Sequence, residues 1–157
     1  MFNPEKFKWR LFSDNETIPS SVVVWLLDNR SLTAKLRDKY TDFKVNVISQ
    51  NQGTPYPCEI ELLDNFEKKF IVREVELIGD NRAVVLARSV IPVNTDTEIL
   101  LSIGSKPLGE ILFDDPSVIR GALEVGNNNN KWARRSTFQI KQTKILVSEI
   151  FLGSLYA

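Results

Sequence analysis

The chain has 157 residues, with a hydrophobic fraction of 43% and a charged fraction of 25%, both ordinary for a folded domain. Twenty Lys and Arg residues balance twenty Asp and Glu residues, so the formal net charge is zero. This balance argues against a protein dedicated to nucleic acid or to anionic membrane surfaces. Because a chain of 157 residues has the length of one typical domain, the sequence predicts a single domain over residues 1–157.

Histidine is absent and cysteine occurs once, which narrows the possible chemistry. Without histidine, no Ser-His-Asp triad, Cys-His pair or histidine metal site can form. Cys58 has no internal disulfide partner, as is typical of a reducing compartment, and we interpret it as an inert buried thiol rather than a nucleophile. Catalysis, if present, must rest on carboxylates, arginines, lysines, tyrosines and backbone amides.

Hydropathy indicates neither a membrane span nor a signal peptide. The longest apolar run, VVVWLL, is far shorter than the roughly 20 residues that a membrane-spanning helix needs. The N-terminal stretch MFNPEKFKWRLF contains an acidic residue and lacks the apolar segment of a signal peptide. We therefore expect a cytoplasmic protein, or a protein of the plastid stroma if the chain is plastid-encoded.

The first half of the chain predicts two helices and then strands. Residues 19–40 have the pattern of two short helices, with Ser20 or Ser21 as the cap of the first and Ser31 as the cap of the second. The stretch DFKVNVIS alternates apolar and polar residues, which predicts a strand, and CEIELL is a further candidate strand.

The second half predicts two hairpins with a helical region between them. Residues 69–78 and 83–91 form the first hairpin, and the second joins RRSTFQI to ILVSEIFL around the turn KQTK. Residues 97–113 are predicted to be helical, with Ser105 as the N-cap and Pro107 in the first turn. The tetrad NNNN at 127–130 is interpreted as a loop.

Hairpins with helices inserted between them are typical of an α+β fold with an antiparallel sheet. The sequence has no GxGxxG motif and no P-loop, so nucleotide binding by those devices is disfavoured.

The first hairpin, REVELIGDNRAVVLAR, begins and ends with arginine. Pairing about Asp80 and Asn81 places Arg73 directly opposite Arg88, at one end of an apolar face. Buried guanidinium groups need anions, which are either glutamates of the protein or the carboxylates of a ligand. The prediction depends on the turn, because a slip of one residue moves a side chain to the other face.

The second hairpin places an acid on an apolar stripe. Glu149 shares a face with the apolar residues of ILVSEIFL, and pairing about Gln142 and Thr143 places it opposite Ser136. A carboxyl group in that position can hydrogen-bond a ligand hydroxyl or act as a general acid. The alternative is that Glu149 simply pairs with an arginine.

Further candidate groups are weaker. Leu32 and Leu108 lie in the first turns of predicted helices, where free backbone amides can bind an anion. Trp132 can stack on a ligand, and Arg134 and Arg135 can bind phosphate. The favoured reading of all three is structural, with one of the two adjacent arginines pointing to solvent.

Five blocks of the chain, taken in order, resemble the chorismate lyase family. They are WLLDNRSLTAKL, REVELIGDNRAVVLARSVIPVNT, KPLGEILF, KWARRSTFQI and ILVSEIFLGSLY. The chain looks most similar to the cyanobacterial and plastid branch. The resemblance implies a single-domain antiparallel sheet with helical flaps over an internal pocket. It also implies cleavage of chorismate to 4-hydroxybenzoate and pyruvate, without metal or organic cofactor, for ubiquinone or plastoquinone synthesis.

The resemblance also implies a set of site residues. Arg73 would bind the ring carboxylate of the substrate, the backbone amides of Leu32 and Leu108 would assist it, and Glu149 would meet the ring hydroxyl. Beside these, we assign Arg88 to the enolpyruvyl carboxylate, so that Glu149 and Arg88 are the expected catalytic residues.

Two rival readings remain. One is a non-catalytic sensor of aromatic carboxylates, because the effector-binding domains of some transcription regulators resemble the same fold. Such regulators carry a DNA-binding domain for which we expect no room in this chain. The other is a structural or interaction module whose arginines are merely paired. As an enzyme, the protein would have chorismate and 4-hydroxybenzoate as its only partners, without nucleic acid, and a monomer is slightly favoured.

Overall fold

The structure is a computed structural model that describes residues 2–13, 17–28, 31–63 and 69–156. Within these ranges the chain forms eight strands and four short helices. The strands are β1 (Lys8–Leu11), β2 (Phe43–Gly53), β3 (Phe70–Gly79), β4 (Arg82–Pro92), β5 (Ile119–Arg120), β6 (Glu124–Asn128), β7 (Lys131–Ile140) and β8 (Thr143–Phe151). The helices are α1 (Ser20–Leu26), α2 (Leu32–Lys39), α3 (Pro57–Leu63) and α4 (Leu108–Asp114). Short 3₁₀ turns occupy Pro4–Lys6, Glu98–Ser102 and Gly153–Tyr156.

All eight strands belong to one antiparallel sheet. The strand order is β1-β6-β7-β8-β4-β3-β2, and β5 pairs with β7 on the same side as β6. The two predicted hairpins, β3–β4 and β7–β8, meet through the pairing of β4 with β8 and form the centre of the sheet. The predicted α+β fold with an antiparallel sheet is confirmed.

Successive side chains of a strand point to opposite faces of the sheet, so the sheet has two different faces. The face covered by α1, α2 and α4 is called the pocket face, where Trp25 and Leu36 pack with Val85, and Leu112 packs with Phe138. The opposite face, called the outer face, is covered by α3 and by the N-terminal segment. Its apolar contacts include Leu63, Val90 and Leu146 in one cluster, and Phe2, Phe7 and Ile150 in another.

The predicted helix caps are right at one helix and wrong at two. The Ser31 side chain accepts a hydrogen bond from the Ala34 amide at 3.3 Å, which confirms it as the cap of α2. The N-caps of α1 and α4 are instead Pro19 and Pro107, neither of which makes a side-chain cap bond. A residue that precedes proline disfavours the helical conformation, so the helix cannot run through Pro107 from Ser105.

The stretch CEIELL is helix α3, so the prediction of a strand there is wrong. Pro57 occupies the start of the helix, where its missing N–H costs little. The Glu59 side chain accepts a hydrogen bond from the Tyr56 amide at 2.9 Å, which supports the first turn. Glu59 and Leu63, four residues apart, are the buried pair on one face of the helix.

Residues with positive φ mark the hairpin turns. Asp80 (φ 47°) and Asn81 (φ 69°) form the turn between β3 and β4, as predicted. Asn129 (φ 55°) lies in the turn between β6 and β7. Asparagine and aspartate tolerate this left-handed conformation better than most residues. The first two residues of the NNNN tetrad, Asn127 and Asn128, end β6, so only the second half of the predicted loop lies in the turn.

A β-bulge in β4 changes the register of the first hairpin. Close to the turn, Gly79 pairs with Arg82, as expected for pairing about Asp80 and Asn81. Farther along, the register shifts, and Leu77 pairs with Val85, which leaves Val84 without a direct partner in β3. One extra residue on one strand reverses the facing of every later residue on that strand.

The predicted opposition of Arg73 and Arg88 is therefore wrong. Beyond the bulge, Arg73 pairs with Ser89, and Arg88 pairs with Glu74. Arg73 keeps its place on the pocket face, whereas Arg88 lies on the outer face. The two arginines are separated by the sheet, so they cannot hold one ligand together.

Arg88 is instead held by two glutamates. Its Nε and Nη2 donate to the two carboxylate oxygens of Glu59 at 2.8 and 2.9 Å, and its Nη1 donates to Glu74 at 2.8 Å. Burial alone would lower the pKa of Arg88, but the bonds to Glu59 and Glu74 outweigh it and raise the pKa. Because Glu59 is 0% exposed, this is a buried structural ion pair between α3 and the sheet.

The second hairpin differs from its predicted register by two residues. Its turn lies at Lys141 and Gln142, so Glu149 pairs with Arg134 rather than with Ser136. A shift of two residues preserves the faces, because the side-chain period of a strand is two. Glu149 therefore lies on the predicted face with a different partner.

We expect Arg88→Met to lower the free energy of unfolding by about 3–5 kcal/mol, because Glu59 would stay buried without its cation. Urea denaturation followed by circular dichroism measures the change. The double variant Glu59→Leu/Arg88→Met should recover part of the loss, since it removes the buried Glu59 together with Arg88 and leaves only Glu74, whose side chain is 12% exposed. The control Arg82→Met, at an exposed position beside the turn, should change stability by less than about 0.5 kcal/mol. Wild-type stability in Arg88→Met would contradict the role of this ion pair.

Candidate functional site

A cavity lies between the pocket face and helices α2 and α4. Its walls are mainly apolar side chains from β3, β4, β7, β8 and the two helices. The polar and charged side chains in the lining are Thr33, Arg73, Ser89, Arg120, Arg134, Ser136 and Glu149.

Two rows of cross-strand partners form the floor of this cavity. One row consists of Arg73, Ser89, Val147 and Ser136. The adjacent row consists of Val75, Ala87, Glu149 and Arg134. Arg73 of β3 and Glu149 of β8 are therefore two strands and one row apart, with the small side chains of Ser89 and Ala87 on the strand between them.

Arg73 is a buried cation with neutral hydrogen-bond acceptors. It is 2% exposed, and its guanidinium donates to Gln50 Oε1 at 2.9 Å and to the Lys106 carbonyl at 3.2 Å. Burial lowers its pKa. No carboxylate among the described residues pairs with it. A buried charge without a counter-ion is costly, so this end of the cavity is suited to an anion.

Helix N-termini adjoin the cavity above Arg73. Leu32 is the first residue of α2 and Leu108 is the first residue of α4, and both line the cavity. The first amides of a helix have no acceptor within the helix, so they can donate to a ligand. An ion pair between Arg37 of α2 and Glu110 of α4 connects the two helices over the cavity.

Arg134 fastens Glu149 and helix α1 to the sheet. Its Nε donates to Glu149 Oε1 at 2.9 Å. Its Nη1 donates to the carbonyls of Trp25, Leu26 and Asp28 at 3.1, 3.4 and 2.9 Å, at the C-terminal end of α1. The alternative in which Glu149 pairs with an arginine is thus what the structure contains, and the pair itself lines the cavity.

The next residue, Arg135, lies on the outer face and is also buried, so the expectation that one of the two arginines points to solvent is wrong. It pairs with Glu124 at 2.8 Å and packs 4.3 Å above the Trp9 ring. Its guanidinium also lies 3.6 Å from Cys58 Sγ. Burial raises the pKa of the Cys58 thiol, which disfavours the reactive thiolate.

The structure brings four of the five predicted site residues to one cavity. These are Leu32, Arg73, Leu108 and Glu149. Arg88 is the exception, and its predicted substrate role does not fit a side chain on the outer face that is bonded to two glutamates.

Sequence patterns missed three other polar residues of the cavity, which are Thr33, Ser89 and Arg120, and placed Ser136 on the correct face but opposite the wrong partner. Ser89 enters the cavity only because of the bulge in β4. Arg120 enters it through the pairing of β5 with β7, a non-local contact that no local pattern indicates.

Among the described residues, no group of three or more Cys, Asp or Glu side chains is placed to hold a metal ion. No helix within the described ranges is long and apolar enough to cross a membrane.

One antiparallel sheet covered by helices, with a cavity lined by the buried Arg73, which has no carboxylate partner among the described residues, defines an α+β protein with a site suited to a small anionic ligand. The family described as chorismate lyase matches residues 3–157. The chain belongs to the chorismate lyase family.

Individual relatives agree with this assignment. The chain is 32% identical to a probable chorismate pyruvate-lyase of Aromatoleum aromaticum, over 97% of this chain and 95% of that protein. It is 37% identical to a probable chorismate pyruvate-lyase of Psychromonas ingrahamii, over 87% and 84%. It is 32% identical to the chorismate pyruvate-lyase of Photorhabdus laumondii, over 88% and 85%. Among solved structures, a possible transcriptional regulator from Bacillus subtilis gives a TM-score of 0.49 at 11% identity over 72% of this chain and 59% of that chain, a likeness too distant to carry an argument.

Ser136 offers a test of the cavity in the absence of ligand. Its hydroxyl is buried, and no described residue hydrogen-bonds to it. We expect Ser136→Ala to stabilise the free protein by about 1 kcal/mol, because a buried unsatisfied hydroxyl is removed. Differential scanning calorimetry measures this gain. Ser148→Ala should give a similar gain, since the Ser148 hydroxyl is also buried and unsatisfied among the described residues, although it lies outside the cavity. A loss of stability in Ser136→Ala would contradict the expectation.

Proposed function

We propose that this protein is a chorismate lyase, which eliminates pyruvate from chorismate to yield 4-hydroxybenzoate without a metal or organic cofactor. The observation that carries the proposal is the Arg73 guanidinium, buried without a carboxylate partner among the described residues, in the same cavity as Glu149. Membership of the chorismate lyase family supports the same activity.

The reaction requires correct positioning of the substrate more than it requires reactive side chains of the protein. The bond between ring C3 and the enolpyruvyl oxygen breaks, the ring loses its C4 hydrogen, and the enolpyruvate fragment takes up a proton to become pyruvate. The ring becomes aromatic, which drives the elimination. An enclosed cavity that fixes the reactive conformer and stabilises negative charge on the leaving fragment can supply most of the acceleration. A chain without histidine can therefore perform this chemistry.

Arg73 holds the ring carboxylate in this proposal. A guanidinium and a carboxylate form a paired, charge-assisted contact, and the backbone amides at Leu32 and Leu108 add donors to the same anion. Because the acceptors of Arg73 in the free protein are neutral, binding a carboxylate supplies the missing counter-charge.

In the same proposal, Glu149 accepts a hydrogen bond from the ring hydroxyl of the substrate. Among the described residues only Arg134 donates to its carboxylate, through Oε1, so Oε2 can accept from a ligand. The hold of Arg134 on the carbonyls at the end of α1 keeps this carboxylate in a fixed orientation. Preorganisation of this kind lowers the cost of reaching the transition state.

The wider setting belongs to the same proposal. The sequence blocks quoted above support a place in the cyanobacterial and plastid branch, with the product used for plastoquinone or ubiquinone. The named relatives come from other bacteria. In this setting the protein works in the cytoplasm or the plastid stroma, as a monomer acting on small molecules. Restored quinone synthesis in a bacterial strain that lacks its own chorismate lyase would support the assignment to quinone synthesis.

Incubation of pure protein with chorismate separates this function from its rivals. Appearance of 4-hydroxybenzoate, followed by absorbance, supports the lyase. Binding of 4-hydroxybenzoate without turnover would favour a sensor of aromatic carboxylates. The absence of both turnover and binding would favour a structural module.

For Arg73→Met we expect a loss of about 10²–10³-fold in kcat/KM for chorismate, comparable to removal of one key donor from an active site. Affinity for 4-hydroxybenzoate should fall as well, because substrate and product share the ring carboxylate. Steady-state kinetics and calorimetric titration measure the two effects. Circular dichroism checks that the variant folds, and near-wild-type turnover would refute the assignment.

Glu149→Gln separates hydrogen bonding from proton transfer. Glutamine can still bond the ring hydroxyl but does not carry a titrating proton. We expect kcat to fall by about 100-fold, in the range typical of a lost acid–base group, with 4-hydroxybenzoate affinity changed only a few-fold. Stopped-flow turnover and product titration measure these quantities. A variant that keeps full kcat would limit Glu149 to binding.

A further inference from the structure

Two buried serines lie on the floor of the cavity, in the same row of cross-strand partners as Arg73. Ser89 and Ser136 are each 4% exposed, and both line the cavity. Among the described residues, no group makes a hydrogen bond to either hydroxyl. The great majority of buried side-chain polar groups in proteins do have a partner, so such hydroxyls in a cavity are suited to a polar ligand.

The two serines differ in their distance from Arg73. Ser89 of β4 is the direct cross-strand partner of Arg73, and directly opposed residues have Cβ atoms about 4.5–5.5 Å apart. Ser136 of β7 lies three strand spacings from Arg73, on the order of 14 Å along the row. Ser89 is therefore the serine that can share a small anion with the guanidinium.

The neighbours of Arg73 on its two sides have different roles. On the β2 side, Gln50 is its cross-strand partner, and Gln50 Oε1 accepts from the guanidinium at 2.9 Å. Gln50 is itself held in place, because its Nε2 donates to the Leu101 carbonyl at 2.8 Å. On the other side lies Ser89 of β4, and Glu149 lies on the next strand, β8. A ligand that extends from Arg73 to Glu149 therefore crosses β4, where Ser89 points into the cavity.

We propose that Ser89 donates a hydrogen bond to the carboxylate that Arg73 holds. This inference rests on the proposed function for the identity of the anion, which is the ring carboxylate common to chorismate and 4-hydroxybenzoate. The amides of Leu32 and Leu108 reach this group from the helices that cover the sheet, whereas Ser89 reaches it from the sheet itself. A carboxylate has about four acceptor positions, so it can use donors from both layers.

The surroundings of Ser89 within the sheet give its hydroxyl no other use. Its partner on β8 is Val147, and Ala87 is the neighbouring residue of β4 on the same face. Neither side chain can accept a hydrogen bond. Replacement of the hydroxyl should therefore leave the free protein as stable as before, while it weakens the binding of a carboxylate. A purely structural serine would lose stability instead.

The test separates the hydroxyl of residue 89 from its volume. Ser89→Ala removes the hydroxyl, and the pair Ser89→Thr and Ser89→Val differ only in whether a hydroxyl or a methyl group stands at one position. Calorimetric titration of the full chain gives dissociation constants for 4-hydroxybenzoate and for benzoate, which keeps the carboxylate and lacks the ring hydroxyl. Ser148→Ala is the control, because Ser148 is a buried serine of β8 opposite Arg88 and outside the cavity.

In Ser89→Ala and Ser89→Val we expect the affinity for each ligand to fall about 10- to 100-fold, the range for one hydrogen bond to a charged group. The two ligands should lose affinity equally, because they share the carboxylate. Ser89→Thr should bind both at least about 10-fold more tightly than Ser89→Val. The control should bind both ligands as the wild type does. The melting temperature of ligand-free Ser89→Ala should not fall below that of the wild type, as measured by calorimetry.

Other outcomes would overturn the proposal. Unchanged affinities in Ser89→Ala would show that its hydroxyl makes no contact with the ligand, and equal affinities of the Thr and Val variants would show that only volume matters. A loss confined to 4-hydroxybenzoate would place Ser89 at the ring hydroxyl. Failure of the wild type to bind 4-hydroxybenzoate or benzoate also refutes the proposal, because an anchored carboxylate should hold both.

The proposed function fails separately, if the wild-type protein makes no 4-hydroxybenzoate from chorismate. The titrations decide the role of Ser89 in either case, because they require no turnover. In an active enzyme, Ser89→Ala should raise KM for chorismate and change kcat by less than about 3-fold, since the ring carboxylate is bound alike in the ground state and the transition state.

Discussion

The extra residue at Val84 in β4 is the constraint on which the arrangement of charges depends. Side chains alternate between the faces of a strand, so one unmatched residue exchanges the faces for the rest of the strand. Beyond the bulge, Ser89 joins Arg73 in the cavity, while Arg88 is delivered to the outer face beside Glu74. Without the bulge, two guanidinium groups would be buried side by side on the pocket face, where like charges repel.

The two faces of the sheet differ in how their buried arginines are neutralised. On the outer face, Arg88 and Arg135 are matched by glutamates, so these buried charges serve the attachment of α3 and β6 to the sheet. On the pocket face, Arg134 neutralises Glu149 and holds the end of α1, whereas Arg73 has only neutral acceptors among the described residues. A folded protein tolerates such an unmatched cation when a ligand supplies the counter-charge for much of its working life. The suitability of the cavity for an anion therefore depends on the absence of a carboxylate partner of Arg73 among the described residues as much as on the side chains around it.

Local patterns were a good guide where the physics is local. The positive φ of Asp80 and Asn81 follows from residues that tolerate that conformation, and Ser31 caps α2 because its short side chain reaches the third amide of the helix. CEIELL failed because its apolar run fits a strand and a helix alike, and the choice depended on Pro57 and on the contact of Glu59 with Tyr56. Glu149 kept its face despite a wrong register, since the error was two residues and the period of a strand is two.

The amino-acid sequence alone was sufficient for the fold class, the two central hairpins, the family, and the presence of a buried arginine and of a glutamate on the same face of the sheet. Family resemblance and alternating hydrophobicity both survive small errors of alignment, which is why these features could be inferred. Tertiary structure decided which arginines share the cavity: it removed Arg88 and added Arg120. Neither change is visible in the sequence. A bulge adds one residue to a strand and has no distinct local sequence pattern. The strands β5 and β7 pair with each other although they are not joined by a hairpin turn. Which arginines join Arg73 in the cavity is thus a property of strand register and long-range pairing rather than of residue type.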